Sequence, residues 1–323
     1  MGQDTDLSIN EIVSALRLLN IPSDTAALFQ KNDRITAYLL DDKYLLRISE
    51  SAMYEQTKLN KVKSLPLAPK IHSSGEIIIS GRKYCYFISD FVQGNDLWSV
   101  IRTLTDGQKH IIGKEIAQFL NGLHSVTGVS YDIGHYIPAV PGCKKSWKDG
   151  HIEYAGLLKG GLSTLGLEAK SECAITKAFA FIYANIGSLE YQTGAVLLHN
   201  DFHPKNIIVR DGRLAGVIDW ECSQFGEPDF ELAHLFHWCA YPPIPENDLG
   251  PLLKSVAENL RITSDVPNIE ARLTIYQLEH ELNQLVWNGK SQESERIQRI
   301  NGWLGGRVYA LFEEWRNETG FRF

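Results

Sequence analysis

The sequence predicts an α+β chain in two parts: a small strand-rich N-terminal part and a larger, mainly helical C-terminal part. Three observations carry that expectation. Up to about Gly94 the apolar residues fall in short strand-like runs such as Tyr44-Leu45-Leu46-Arg47-Ile48 and Tyr84 to Phe91. Beyond Gly94 the apolar spacing turns helical, as at Ile116, Leu120 and Leu123. The exception is a strand, loop and hairpin signal between Val196 and Asp219. The shift in pattern divides the chain into 1–94 and 95–323.

Taken in order, Ser8 with Glu11 three residues on reads as a capping box ahead of a helix carrying Ile12, Leu16 and Leu19, which Pro22 ends. A strand follows at Tyr44 to Ile48, whose period of two puts Leu45 and Arg47 on one face and Tyr44, Leu46 and Ile48 on the other. Ser51 to Lys63 looks helical, Tyr84 to Phe91 is an apolar strand running into Val92-Gln93-Gly94, and Ile116 to His124 is a helix. Tyr131 to Lys148, with Gly134, Pro138, Pro141 and Gly142, reads as a long loop of the kind that often borders a functional site. Val196-Leu197-Leu198 and Ile207-Ile208-Val209 flank a polar loop; Asp211-Gly212 is a tight-turn signal, and Leu214 to Ile218 returns as a strand that ends at Asp219. Leu278, Leu282, Leu285 and Val286 then make a buried helical stripe.

Composition narrows the function classes. With 323 residues and 44% hydrophobic content the chain is long enough for two packed parts. The net charge of −7, from 32 basic and 39 acidic residues, leaves no footprint for nucleic acid and suits a cationic small molecule. Met1 to Asp6 is polar and acidic, and no apolar run approaches membrane-spanning length, so the expectation is a cytoplasmic protein without a membrane partner. Five scattered cysteines, Cys85, Cys143, Cys173, Cys222 and Cys239, show no paired metal spacing and are expected as reduced thiols.

The chemistry concentrates in His199-Asn200-Asp201-Phe202-His203-Pro204-Lys205-Asn206 and Ile218-Asp219-Trp220-Glu221. Asp201 ends the run Val196-Leu197-Leu198, Asn206 opens Ile207-Ile208-Val209, and the returning strand delivers Asp219 beside the loop. Transfer of a phosphoryl group from a metal-bound triphosphate needs ligands for the divalent ions and a separate carboxylate to orient the accepting hydroxyl. Asp201 is placed for the second task, Asn206 and Asp219 for the first. Mg2+ takes one or two carboxylates together with phosphate and water oxygens, which matches so short a ligand set. Taken singly, each Asp would read as a turn former or helix cap.

These motifs resemble the catalytic and metal-binding loops of the aminoglycoside phosphotransferase family, relatives of protein kinases that include choline and other small-molecule kinases. The resemblance implies a two-lobed protein-kinase-like fold with a hinge at about 90–94. It implies transfer of the γ-phosphate of ATP (or GTP), with Mg2+, to a hydroxyl of a small molecule. Asp201 is then the catalytic base, Asn206 and Asp219 hold magnesium, and His199 braces the loop. His203 falls where protein kinases carry a phosphate-contacting Lys, and Asn200 and Lys205 stand where members often have Gly. Arg47 resembles the strand residue that contacts the nucleotide phosphates and Glu55 its acidic partner, with Lys43, Lys58 and Glu50 as neighbours that would shift the assignment. In the hinge, the Asp90 carbonyl and the Val92 amide are the candidate adenine contacts. The Phe29 to Tyr38 segment, where a phosphate-covering hairpin is expected, contains no Gly, only Gln30-Lys31-Asn32-Asp33-Arg34.

The turn Gly226-Glu227-Pro228-Asp229-Phe230-Glu231 is similar to the family's turn into a supporting helix, with Glu231 in the structural acid's position and Glu227 and Asp229 expected as helix caps. Acceptor specificity is expected in the C-terminal helices, where Glu279, Glu281, Trp287 and Trp303 offer acidic and aromatic groups that are also ordinary core candidates. The acceptor stays open between an antibiotic and a metabolite such as choline, homoserine or a sugar. Two further readings stay open: a catalytically silent nucleotide-binding module, and a helical interaction protein using the C-terminal half.

Overall fold

A computed structural model describes residues 9–18, 25–31, 36–49, 52–133, 142–239, 246–261 and 266–319. The chain forms two compact units: one of Met1–Asn95, Ile207–Arg210 and Ala215–Glu221, the other of Asp96–Asn206, Asp211–Leu214 and Cys222–Phe323.

In the first unit, helix α1 (Ile9–Leu18) precedes strands β1 (Ala26–Lys31), β2 (Thr36–Leu40) and β3 (Tyr44–Ser49), helix α2 (Ala52–Lys61), and strands β4 (Ile71–Ile79) and β5 (Arg82–Asp90). The strands make one antiparallel sheet in the order β1-β2-β3-β5-β4. Asp41 and Asp42 join β2 to β3, and Ser80 and Gly81 join β4 to β5, each pair with positive φ at both positions (51°, 54°, 50° and 76°). Two left-handed residues match the twist of the flanking strands, which is what a tight antiparallel hairpin requires. The alternation in β3 is realised: Leu46 and Ile48 are buried with Leu40, Ile77, Ile79 and Ile88 against Ile12 and Leu16 of α1. Arg47 is therefore on the opposite face. Leu19, Pro22, Ser8 and the centre of the glycine-free segment, 32–35, lie outside the described residues. Glu11 accepts a hydrogen bond from the Ser80 hydroxyl, tying α1 to the β4–β5 turn.

Asn95–Asp96 (β6) leads into the short helix α3 (Leu97–Val100) and then α4 (Asp106–Leu123). The helix expected from Ile116 to His124 thus starts ten residues earlier, where Thr105 and Gln108 form a reciprocal capping box. In the second unit α4 packs on α8 (Glu246–Asn259), so closely that a Cβ at Gly113 would lie 2.4 Å from the Leu252 carbonyl oxygen. Between them in sequence come α5 (Trp147–Leu162), α6 (Ala169–Asn185), β7 (Val196–Leu198), β8 (Ile207–Arg210), β9 (Arg213–Val217), β10 (Gln224–Gly226) and α7 (Phe230–Cys239). The C-terminal helices are α9 (Ile269–Asn288), α10 (Glu293–Leu304) and α11 (Arg307–Thr319).

The loop expected to reach Lys148 gives way to α5 at Trp147, because Ser146 caps that helix and the Trp147 indole is fully buried, donating to the Tyr276 hydroxyl at 2.8 Å. Trp303 and Glu281 are core as well: Trp303 is buried and Glu281 pairs with Arg296 at 3.0 Å. Cys85, Cys143, Cys173 and Cys222 are free thiols. Among the described residues no helix is long and apolar enough to cross a membrane.

Candidate functional site

In the first unit, β3 presents Arg47 away from the core, and the first turn of α2 brings Glu55 to it. Arg47 Nη1 donates to Glu55 Oε2 at 2.6 Å and to Asp219 Oδ1 at 3.3 Å. Glu55, 8 positions from Arg47, and Asp219, 172 positions from it, thus meet at one guanidinium nitrogen. Glu55 is buried, and burial pushes its carboxyl up to about 7 against the pull of Arg47.

Asp219 arrives there because β9 is anchored to the same unit: the Val217 amide donates to the Leu67 carbonyl at 2.9 Å. At the preceding Gly216 a Cβ would lie 2.7 Å from the Val92 side chain. Asp219 itself has φ 69°, a left-handed conformation uncommon for a residue with a side chain. One of its oxygens faces Arg47, and the side chain stays one-third exposed at 36%.

The hinge candidates separate. Asp90 ends β5, and its carboxylate is occupied by the Lys70 amide at 3.1 Å and His72 Nε2 at 2.6 Å. Val92 lies past the end of the strand ladder, so its amide is outside the sheet pairing. Gly94, at φ 145°, has the Val209 carbonyl where a Cβ would come within 2.5 Å, so no larger residue fits without displacement.

In the second unit, β7 feeds the Asp201 loop. Glu231, in the first turn of α7, accepts the His199 amide at 2.7 Å and the Asn200 amide at 2.9 Å. Both bonds hold the carboxylate charge, yet full burial wins and pushes Glu231 up to about 7. Asn200 takes φ 63°, which a glycine would adopt freely and Asn tolerates, and its side chain donates to the Cys222 carbonyl at 3.1 Å. The side-chain amide of Asn206 donates to the Asp201 carbonyl at 3.0 Å and to Asp201 Oδ2 at 3.1 Å. With its nitrogen so used, Asn206 keeps its carboxamide oxygen for another ligand.

His203 sits beside them, Nε2 at 3.5 Å from Asp201 Oδ2. Its Nδ1 accepts the Lys205 amide at 3.2 Å, and the Asn206 side-chain nitrogen lies 3.4 Å from Nε2. The imidazole stacks on Trp238 at 4.8 Å, and Trp98 meets the same indole edge-on at 4.6 Å. The contact of Trp238 with His203 joins residues distant in sequence.

Glu227 and Asp229 were expected as helix caps and are not. Glu227 accepts from the Tyr131 hydroxyl at 2.6 Å and from the Thr193 and Gly194 amides at 2.8 and 3.2 Å. Asp229 is held by Arg272 in two bonds of 2.6 and 2.9 Å. A fully buried carboxylate takes the strongest donors within reach, and here those come from distant segments.

The sequence model of the phosphotransferase enzyme family matches residues 32–250. Over 42 residues the chain is 40% identical to hygromycin-B 4-O-kinase of Escherichia coli, covering 13% of this chain and 12% of that protein. Over 184 residues it is 24% identical to acyl-CoA dehydrogenase family member 11 of Mus musculus, covering 53% of this chain and 22% of that protein. The chain therefore spans less than a quarter of either curated relative. Among solved structures, the aminoglycoside phosphotransferase APH(4)-Ia in ternary complex with AMP-PNP and hygromycin B superposes with a TM-score of 0.64 at 18% identity. That match covers 92% of this chain and 98% of the other, and it shows a shared kinase-like α+β fold.

Proposed function

The chain belongs to the phosphotransferase enzyme family, and on that premise we propose that it is an O-phosphotransferase moving the γ-phosphate of ATP (or GTP) to a hydroxyl of a small molecule. The observation that carries this reading is the Asp201 loop: a carboxylate with one oxygen held by Asn206, on a backbone pinned by Glu231. Hydrogen bonds that fix a carboxylate before substrate arrives leave it oriented for proton transfer.

In this proposal Asp201 accepts the proton of the acceptor hydroxyl as its oxygen bonds to the γ-phosphorus and the bond to the nucleoside diphosphate breaks. Asn206 and Asp219 would each give an oxygen to magnesium. Their donor chemistry fits a hard cation, since each offers an oxygen not used by its neighbour, and magnesium when bound neutralises phosphate charge. Arg47, steered by Glu55, contacts the phosphates, and the Asp90 carbonyl and Val92 amide receive the adenine. His203, beside Asp201 and Asn206, restrains the base. The acceptor is a small molecule, for which the acidic balance of the chain favours a cation.

The experiment is a steady-state assay of Asp201→Asn with ATP and GTP against a panel of small alcohols and aminoglycosides. Turnover should fall by about 10²- to 10⁴-fold with nucleotide affinity kept. Unchanged turnover would remove Asp201 from the mechanism. Asp219→Ala should instead abolish the magnesium dependence of nucleotide binding in calorimetry.

A further inference from the structure

The second unit encloses a cavity of about 20 Å³ reached by α5, β10, α7 and α9. Its walls are largely aromatic, with Trp147, Tyr154, Phe230 and Tyr276, yet His151, Gln224 and Glu279 also open onto it. These three are 1%, 8% and 2% exposed, and each leaves an atom without a partner: His151 Nε2, Gln224 Nε2 and Glu279 Oε1. Buried polar atoms are nearly always paired, so three orphans on one cavity describe an occupant.

The bonds already made say what that occupant must offer. His151 Nδ1 lies 2.7 Å from Glu279 Oε2. A carboxylate accepts, so Nδ1 carries a proton, and in the neutral tautomer with that proton a lone pair on Nε2 faces the cavity. Glu279 Oε1 is a second acceptor, and the Gln224 amide nitrogen is a donor. The occupant must give two protons and receive one. A hydroxyl group has only one proton to give, an ammonium has no lone pair for the amide, and an anion would meet the carboxylate. His234, His237 and His280 also line the cavity, but no group of three or more His, Cys, Asp and Glu among the described residues is disposed to hold a metal. A cavity of this size has room for about one water molecule.

We propose that one ordered water occupies this cavity, donating to His151 Nε2 and Glu279 Oε1 and accepting from Gln224 Nε2. It ties α5 and α9 to β10. Gln224 is the register partner of Leu198, the residue before His199, so the water supports from within the strand pair that carries the Asp201 loop.

A crystal structure of the full-length protein tests this. One density peak within hydrogen-bonding distance of all three atoms is expected; an empty cavity would overturn the proposal, as would an anomalous peak there after exchange into rubidium, which would assign a cation. Magnetic relaxation dispersion of water oxygen-17 gives a second reading. Gln224→Met keeps side-chain length and removes the donor, so the residence time of one internal water should shorten by about tenfold, the effect of one lost hydrogen bond. An unchanged residence time would remove Gln224 from the site and sink the three-point arrangement.

Discussion

Two arginine–carboxylate pairs among the described residues, Arg272–Asp229 and Arg47–Glu55, look alike and are built for different ends. In the second unit Arg272 donates from all three of its nitrogens. Its Nε and Nη2 grip Asp229 at 2.6 and 2.9 Å, and Nη1 donates to the carbonyls of Ser188 and Tyr191 at 2.9 and 2.8 Å. In the first unit both hydrogen bonds of Arg47, to Glu55 and to Asp219, leave from Nη1 alone. Five donors radiate from a guanidinium. Arg272 spends four of the five, from all three nitrogens, on the fold, whereas Arg47 keeps Nε and Nη2 for something else. Burial and ion pairing are thus shared by a structural and a candidate ligand-binding arginine, and the unspent donors distinguish them.

That contrast can be broken by experiment, beginning with the largest effect. Arg272→Met leaves Asp229 buried without its partner and should cost about 3–5 kcal/mol of stability. Urea unfolding measures it, and a loss below about 1 kcal/mol would mean that Arg272 is not the anchor its bonds suggest.

Arg47→Met should reverse the balance, raising the KM for nucleotide by about 10- to 100-fold, the worth of charge-assisted hydrogen bonds to phosphate. Its stability loss should be smaller than that of Arg272→Met, because Glu55 can become neutral when its partner is gone. Equal stability losses with unchanged KM would erase the distinction.

Glu55 sharpens it through pH. Its carboxyl is raised from 4.5 to about 7, chiefly by burial, so the folded protein binds a proton that the unfolded chain has released. The stability this supplies is full below pH 4.5 and is lost as pH rises through about 7. Glu55→Gln should therefore flatten the fall in unfolding free energy across that window. Only ionised Glu55 holds Arg47 by charge, so the wild-type nucleotide KM should decrease as pH rises through about 7, and the variant should lose that dependence. Glu231, raised to about 7 by burial in the second unit, leaves a residual slope in both proteins.

The smallest effect is expected on the sheet surface, where Lys83 and Glu76 pair at 2.6 Å with side chains 63% and 54% exposed. Lys83→Ala should change stability by less than about 1 kcal/mol, because water screens such a pair. A larger change in thermal unfolding would show that exposed pairs matter more here than the two buried ones imply.

Local patterning made much of the fold legible beforehand. The period of two in Tyr44 to Ile48 put Leu46 and Ile48 in the core and Arg47 on the other face, as observed. Asp211 and Gly212 take φ 52° and 72°, the two left-handed residues that a tight hairpin needs, and β8 and β9 flank them. These features depend on neighbours in sequence, which is why sequence alone determined them, together with the order and spacing of Asp201, Asn206 and Asp219.

Other features were settled only by packing between distant segments. Glu227 and Asp229 look like helix caps in any local window, yet Arg272 lies 43 residues from Asp229, and Tyr131 lies 96 residues from Glu227. The stacking of His203 on Trp238, the burial of Trp147 at the head of α5, and the orphaned polar atoms of His151, Gln224 and Glu279 share that origin. The physical reason is common to all of them. A buried charge or polar group must find partners among whatever donors the collapsed chain brings within about 3 Å, and sequence separation does not limit that search.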